Sequence, residues 1–263
     1  PYAKEISQKK IKIVANAGGV NPLACRDAVA KALAEQGVNL KVAAVVGDDV
    51  FPLIETLRGE GVKEIQSGAP LPRSVVSANA YVGAFPIAAA LGMGADIVVT
   101  GRAADSALAL GPLIHEFGWK PTDFDLLASG SMAGHVIECG PQATGGIFTD
   151  WREVAEGWAD IGFPIADCAA DGSFTITKPK GTGGLVSVRT VAEQVTYETG
   201  DPANYVLPDV VCDLTRVTLK QSAPDRVEVR NVRGKAPTPT YKVSATYPDG
   251  FRSIATLMVN GID

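Results

Sequence analysis

The sequence is poor in histidine, cysteine and aromatic residues, and it has no excess of positive charge. Only two histidines and four cysteines occur among 263 residues, and aromatic residues make up 6%. No two cysteines form the CxxC pair that many zinc and redox sites use. The chain has 24 lysine and arginine residues against 29 acidic ones, which gives a net charge of −5. This balance opposes binding to a nucleic-acid backbone, and we expect no nucleic-acid partner.

The cysteines and the first residues bear on the compartment. Cys25, Cys139, Cys168 and Cys212 lie far apart in a chain large enough to fold without disulfides. This favours a reducing, cytoplasmic location. The first residues do not show the basic, apolar, small-residue pattern of a secretory leader. Because the chain opens with Pro1 rather than Met, we expect it to be the core fragment of a longer product.

One segment is long and uncharged. Residues 74–95 contain no charged side chain over 22 positions, which is long enough to cross a bilayer. The segment is nevertheless rich in serine, glycine and alanine and poor in large aliphatic residues, and it contains Pro86. Such a composition disfavours membrane insertion. It predicts a tightly packed interior helix and no membrane partner.

Residues 1–150 alternate strand and helix signals, which predicts an α/β domain with a mostly parallel sheet and flanking helices. Strands are predicted at Lys10–Ala15, Leu40–Val46 and Ala95–Thr100. Helices are predicted from Pro22 to about Gly37, over Val50–Arg58 and over Ser106–Phe117. Right-handed crossovers between such strands bring their carboxyl ends to one edge of the sheet.

Residues 151–263 alternate apolar and polar positions, which predicts a β-rich α+β region packed on the first domain and not independent of it. The predicted strands are Ser173–Thr177, Val210–Leu219, Arg226–Val232, Tyr241–Tyr247 and Arg252–Met258. One helix is predicted near Val191, because Thr190 and Glu193 have the spacing of a capping box.

Three loops follow predicted strands and carry polar residues. Ligands of parallel sheets bind outside the carboxyl ends of the strands, so we expect these loops to form one rim. The rim residues are Asn16, Gly18, Gly19 and Asn21 in the first loop, Asp48 and Asp49 in the second, and Arg102 and Asp105 in the third. Free N–H groups of the first loop and the Arg102 guanidinium suit a carboxylate. Alternatively, the glycines make a tight turn and Asp105 caps a helix.

The two histidines differ in context. His115 lies near a predicted helix end, where a structural role is sufficient. If the segment around His135 is helical, His135 and Glu138 share a face and form a plausible proton-transfer pair. Cys139 beside them is a nucleophile or a small buried hydrophobe. The spacing matches no zinc signature, so no metal site is predicted.

A glycine- and lysine-containing loop lies between a strand and a helix. Lys178, Lys180, Thr182 and Gly183 could form a nest for an anion, such as the anionic tail of a substrate. The order of glycine and lysine differs from that of a Walker A loop. The alternative is a solvated turn.

Taken together, these segments resemble the acyclic terpene utilisation family of the AtuA type. The matching runs are Asn16 to Gly19 with Asn21-Pro22, Gly101-Arg102 with Asp105, Pro112 to Trp119, Ala133 to His135 with Glu138 to Gly140, Thr144 to Gly146, Asp171 to Phe174, Thr177 to Pro179 with Gly181 to Leu185, and Gly200 to Pro202. The resemblance implies catabolism of branched isoprenoid or related acids through acyl-CoA thioesters. It also implies a small ferredoxin-like domain or partner, and it assigns no catalytic residues.

Two functional hypotheses follow. The first is a lyase or hydratase acting on an acyl-CoA or a carboxylic acid. Its catalytic residues would be His135, Glu138 and Asp105, and it would need no cofactor beyond the CoA of a thioester substrate. The second is a non-catalytic subunit that binds acyl-CoA or acts as a scaffold in a catabolic complex. The unpaired strand edges predict a homo-oligomer in either case.

Overall fold

The computed structural model describes residues 2–258. Its helices are α1 (Ala3–Lys9), α2 (Pro22–Glu35), α3 (Ile54–Gly59), α4 (Phe85–Gly92), α5 (Ala107–Phe117), α6 (Phe124–Glu138) and α7 (Val188–Thr196). Its strands are β1 (Ile13–Ala15), β2 (Val42–Val45), β3 (Ser77–Ala80), β4 (Ile97–Thr100), β5 (Ile165–Cys168), β6 (Phe174–Thr177), β7 (Tyr205–Val206), β8 (Val211–Asp213), β9 (Thr218–Ala223), β10 (Arg226–Arg230), β11 (Arg233–Lys235) and β12 (Val243–Thr246). The α/β class with a parallel sheet in the first half is confirmed.

The N-terminal sheet has the order β1-β4-β2, and all of its pairs are parallel. Its middle strand β4 is buried along its whole length. Successive residues of a strand face opposite sides, so Ile97 and Val99 pack with Leu33 of α2. Val98 belongs instead to the main core, together with Ile87 of α4 and other residues of that cluster. The sheet therefore lies between two layers of helices.

Close packing of α4, α5 and α6 depends on glycines. A side chain at Gly111 of α5 would meet the Ile87 side chain at 2.6 Å. A side chain at Gly134 of α6 would meet the Ser106 carbonyl oxygen at 2.6 Å. Both distances are far below ordinary contact, so each glycine is where one helix approaches another element directly. Gly134 thereby places α6 against the start of α5.

The second half is antiparallel. One sheet has the order β5-β6-β10-β9 and another the order β11-β8-β7. In β10, Val227 and Val229 are buried between the more exposed Arg226, Glu228 and Arg230. This is the alternation expected of a strand with one wet face. The main hydrophobic cluster contains residues of both halves of the chain.

Three predictions about elements are wrong or incomplete. Residues 74–95 are not one helix, because β3 occupies Ser77–Ala80 and pairs with β12, and only Phe85–Gly92 is helical. The region Val210–Leu219 is divided between β8 and the start of β9. Residues 252–258 form no regular strand. Among the described residues, no helix is long and apolar enough to span a membrane.

The predicted capping box is displaced by one turn. Ser187, not Thr190, is the N-cap of α7, and its hydroxyl accepts a hydrogen bond from the Thr190 N–H. Thr190 occupies the third helical position and accepts from the Ser187 N–H in return. Glu193 instead accepts from the backbone N–H of Thr149. The reciprocal arrangement satisfies two N–H groups at the helix start.

Candidate functional site

The candidate site begins where β1 and β4 end. Asn16 follows β1 and Asp105 lies on the loop after β4, and the Asn16 Nδ2 atom donates a hydrogen bond of 3.0 Å to the Asp105 Oδ1 atom. Asp105 is therefore not a side-chain cap of α5, whose N-cap is Ser106. The first and third loops thus meet through their side chains, as expected of one rim on a parallel sheet.

Gly18 makes this meeting sterically possible. A Cβ atom at Gly18 would lie 2.6 Å from the Thr100 carbonyl oxygen and 2.7 Å from Pro22 Cα. The first loop therefore rests directly on the end of β4. Gly19 closes the same turn with its N–H on the Asn16 carbonyl. The Asn21 side chain caps α2 by accepting from the Ala24 N–H.

Asp48, in the loop after β2, holds the third loop in place by a hydrogen bond. It is buried, and one of its oxygens accepts from the Arg102 N–H at 2.9 Å and from Asn79 Nδ2 at 3.0 Å. Gly101 leaves the necessary space, since a Cβ atom there would clash with the Asp48 carboxylate. The Arg102 side chain itself is exposed at this edge. Neighbouring Asp49 accepts from the Phe51 N–H.

His135 lies on α6 and is completely buried. Its Nε2 atom lies 2.9 Å from the Gln194 carbonyl oxygen, and Gln194 Nε2 donates in return to the His135 carbonyl oxygen at 3.2 Å. Its Nδ1 atom lies 3.2 Å from Glu138 Oε1 and 3.4 Å from the Tyr205 hydroxyl. The helical spacing therefore brings His135 and Glu138 together as expected.

The contacts of the imidazole define which nitrogen can exchange a proton. A carbonyl oxygen only accepts, so Nε2 must carry a hydrogen when it bonds Gln194. In the neutral ring, Nδ1 is then the basic nitrogen, and it faces Glu138 and Tyr205. The His135 side chain is 1% exposed and the Glu138 side chain 15%. Glu138 is thus the member of the pair that reaches the surface, with the imidazole behind it.

Two neighbouring carboxylates act on Asp105. Burial, followed by the negative charges of Glu138 and Glu198, raises the pKa of the Asp105 carboxyl, while the Asn16 hydrogen bond opposes the rise. A carboxylate with a raised pKa is a better proton acceptor near neutral pH. Within the part of the chain that the structure describes, no group of three His, Cys, Asp or Glu residues is placed to hold a metal ion.

The neighbouring thiol and phenol are held in their protonated forms. Burial and the charges of Glu138, Glu198 and Asp105 raise the pKa of the Cys139 thiol, against a hydrogen bond from Gln194. Burial, followed by the charge of Glu138, also raises the pKa of Tyr205. Cys139 therefore lacks the lowered pKa of a reactive cysteine. Tyr205 is suited to donate a hydrogen bond, not to act as an anion.

The lysine-containing loop is partly used by the fold. The Lys178 ammonium is buried, donates to the Thr182 carbonyl at 2.7 Å and lies 3.3 Å from an Asp225 oxygen. Thr182 Oγ1 donates to the Pro179 carbonyl, and Gly183 forms an isolated bridge with Ile161. Lys180 remains exposed. No hydrogen bond or ion pair joins this loop to Asn16 or Asp105 among the described residues. His115 is exposed in the last turn of α5.

Sequence reasoning missed Gln194, Tyr205 and Glu198. They lie on α7, on β7 and between them, more than 50 positions along the chain from His135 and Glu138. Nothing in their local sequence indicates the contact, because it depends on how α7 and β7 pack on α6. The contacts of His135 with Gln194 and Tyr205 exist only in the folded chain.

The fold and this site define an α/β protein with a polar, carboxylate-rich site at the carboxyl ends of parallel strands. A family model, described as acyclic terpene utilisation family protein AtuA, matches residues 1–263. The chain therefore belongs to this family, which indicates a role in acyclic terpene utilisation. Comparisons with curated proteins and with solved structures found no match.

Proposed function

We propose that the chain is an enzyme that moves a proton at a carbon next to an activated carbonyl. Its class would be a lyase or hydratase, and its substrate a branched acid or the corresponding acyl-CoA thioester. The observation that carries the proposal is the Asn16–Asp105 hydrogen bond at the strand ends, combined with the charge coupling of Asp105 to Glu138. A scaffold has no need to keep two carboxylates where they repel each other.

Each residue has a distinct role in this proposal. Asp105 and Glu138 exchange protons with the substrate, since both side chains reach the surface. The charge of Glu138 helps to raise the pKa of Asp105, which makes Asp105 the stronger base. His135 is a positioning residue that holds Glu138 and shares its proton through Nδ1. Asn16 orients Asp105, and the exposed Arg102 meets a carboxylate or thioester carbonyl. Lys180 is the ammonium group left to meet an anionic tail.

Turnover by the intact protein, with any small partner present, tests the proposal. Glu138→Gln and Asp105→Asn keep size and hydrogen bonding but remove the proton-accepting charge, so each should lower kcat by about 10²–10⁴. Glu116→Gln is the matched control, because Glu116 is an exposed glutamate on neighbouring α5. Full activity of both site variants would contradict the proposal.

A non-catalytic binding or scaffold subunit is the second candidate, and the burial of His135 favours it. The reciprocal hydrogen bonds with Gln194 provide a sufficient structural reason for this histidine, since they join α6 to α7. Calorimetric binding of an acyl-CoA without turnover in the presence of the partner would support this candidate. Product formation by the chain alone would exclude it.

We also propose a cytoplasmic homo-oligomer, with a small ferredoxin-like partner. The parallel sheet has the order β1-β4-β2, so β1 and β2 each leave one edge without a partner strand among the described residues. Unpaired strand edges are templates for pairing with another chain. Light scattering of the native protein should give at least twice the mass of one chain, and a monomer would contradict the expectation.

A further inference from the structure

A small apolar depression lies beside the carboxylate site. Pro141, Gly146, Trp158 and Ile161 line it, and its volume is about 180 Å³. None of these four residues carries a charge. The lining therefore offers no charged partner for a phosphate, a carboxylate or a metal ion, and it suits a hydrocarbon group.

One wall of the depression directly follows α6 in the chain. Cys139, next to Glu138, leads directly into the 3₁₀ turn Gly140–Thr144, to which Pro141 belongs. The Gly146 N–H donates to the Pro141 carbonyl at 2.8 Å, which closes one wall. A group bound against Pro141 is thus three residues along the chain from Glu138.

The opposite wall is held in place by its own hydrogen bonds. Thr144 Oγ1 donates to the Gly162 carbonyl at 2.6 Å, and the Gly162 N–H donates to the Gly183 carbonyl at 3.2 Å. These bonds fix the segment that carries Trp158 and Ile161 against the turn after α6. The backbone of both walls is therefore held by hydrogen bonds, and the Trp158 and Ile161 side chains complete the lining.

Its size limits the occupant. A buried apolar cavity of about 150 Å³ takes one benzene molecule, whereas sites for whole drug-sized ligands measure about 300–1,000 Å³. The depression can therefore hold a group of five or six carbons, but not an entire acyl-CoA. It is suited to the end of a chain whose polar part lies elsewhere.

Tryptophans near the opening are exposed to solvent. Trp158 is 40% exposed and Trp151 is 43% exposed, with their ring centroids 6.0 Å apart. The Arg152 guanidinium lies over the Trp151 ring at 4.5 Å and covers one side of it. Among the described residues, no cationic side chain lies over the Trp158 ring, so part of its apolar surface is available to a ligand.

We propose that this depression is the subsite for the apolar end of the ligand whose polar group is bound near Glu138. The occupant is a branched or cyclic group of five or six carbons. The inference rests on the proposed function, because it assumes that Glu138 belongs to the site. It adds a residue, Trp158, that determines which chain lengths bind.

A ligand-observed NMR titration of the native protein tests the subsite. The probes are acetate, 3-methylbutanoate, 4-methylpentanoate and decanoate. Affinity should rise about fourfold for each carbon added to the hydrocarbon group until that group has five or six carbons besides the carboxylate, and then level off. Trp158→Ala should remove most of this dependence. Ile161→Ala should move the plateau to a longer chain, because it removes side-chain atoms from the lining.

Ile165→Ala is the matched control. Ile165 is 46% exposed in the same part of the chain but does not line the depression, so this variant should keep the chain-length dependence. Circular dichroism checks that each variant folds, and if Trp158→Ala does not fold, Trp158→Leu and Ile161→Ala decide. Equal affinity for all four probes, or an unchanged profile in the folded pocket variants, overturns the inference.

The outcomes separate the subsite from the proposed function. Chain-length-dependent binding without turnover supports the subsite and contradicts the enzyme proposal. Turnover that depends on Glu138 but binds all chain lengths equally contradicts the subsite alone. If Trp158→Ala changes the mass of the assembly and not the affinity for the probes, a second copy covers the depression and the inference is wrong.

Discussion

Gly134→Ala is expected to disturb both stability and the site, because α6 touches the backbone before α5 at this residue. The added methyl would lie 2.6 Å from the Ser106 carbonyl oxygen and 2.8 Å from Ser106 Cα. Ordinary contacts are longer than 3.4 Å, so the two elements must separate by several tenths of an ångström. Backbone atoms cannot move aside as a flexible side chain can.

The cost can be worked out from opposing contributions. Overpacking of a core costs about 1–3 kcal/mol, and replacement of glycine by alanine in a helix returns at most about 1 kcal/mol. Since the obstacle is backbone, we expect a net loss of about 1–2 kcal/mol. For a chain of this size, that corresponds to a fall in Tm of about 2–8 °C.

The assay is calorimetric melting of the wild type, Gly134→Ala and Gly59→Ala. Gly59 ends α3, and a Cβ atom there meets nothing within 4 Å, so the control should keep or slightly raise Tm. Because Ser106 follows Asp105, separation should also weaken the Asp105–Glu138 repulsion and lower the pKa of Asp105, measured by carboxyl NMR. A Gly134→Ala variant as stable as the wild type would refute this account of the helix contact.

Four further substitutions have defined outcomes. Asp105 binds its proton more tightly in the folded chain than in the unfolded one, so the free energy of unfolding of the wild type falls as pH rises from about 4 through the raised folded pKa. Asp105→Asn should remove this fall and be more stable than the wild type at pH 7 in urea denaturation. Parallel pH profiles of the two proteins would contradict this expectation. Lys178→Met breaks the buried contacts with Thr182 and Asp225, so it should lower the free energy of unfolding by about 1–3 kcal/mol and leave anion affinity unchanged. Lys180→Ala should weaken anion binding and leave the free energy of unfolding unchanged. Urea denaturation and anion titration of both variants measure the two effects. Asp209→Ala deprives the Ala84 N–H of its carboxylate at the start of α4 and should cost about 1–3 kcal/mol, and an unchanged urea midpoint would contradict the role of this contact.

The elements that the sequence predicts well are those whose signals are local. The helix α2 begins with an asparagine cap and a proline, and β4 is a short run of apolar residues before glycine. The region 74–95 fails for the opposite reason. Its strand β3 has the unremarkable sequence Ser77–Ala80 and exists because β12 pairs with it from the far end of the described chain. Local composition carries no information about such a partner.

The candidate site divides in the same way. Asn16 and Asp105 were predictable as rim residues, since both follow strands of a parallel sheet, and their contact is a consequence of strand order. The glycine-rich context of Lys178 suggested an open anion site. In the fold, the Lys178 ammonium group is instead paired with Asp225, which lies in the distant turn between β9 and β10. A pattern identifies the side chain, but only packing determines whether it is already paired.

The pairing of β3 with β12 has a consequence for synthesis on the ribosome. Ser77 and Thr246, which are hydrogen-bonded in this pair, are 169 residues apart. At about 5–20 residues per second, β3 emerges roughly 8 to 34 seconds before its partner strand. Ala78 and Ala80 bond to Val50 and Asp48, which are made earlier, but the N–H and C=O groups on the edge that faces β12 can pair during that interval only with solvent or with another chain. Nascent chains on one messenger RNA would thus present matching free strand edges to each other. Pairing of β3 with β12 removes this edge and ends its availability for pairing between chains.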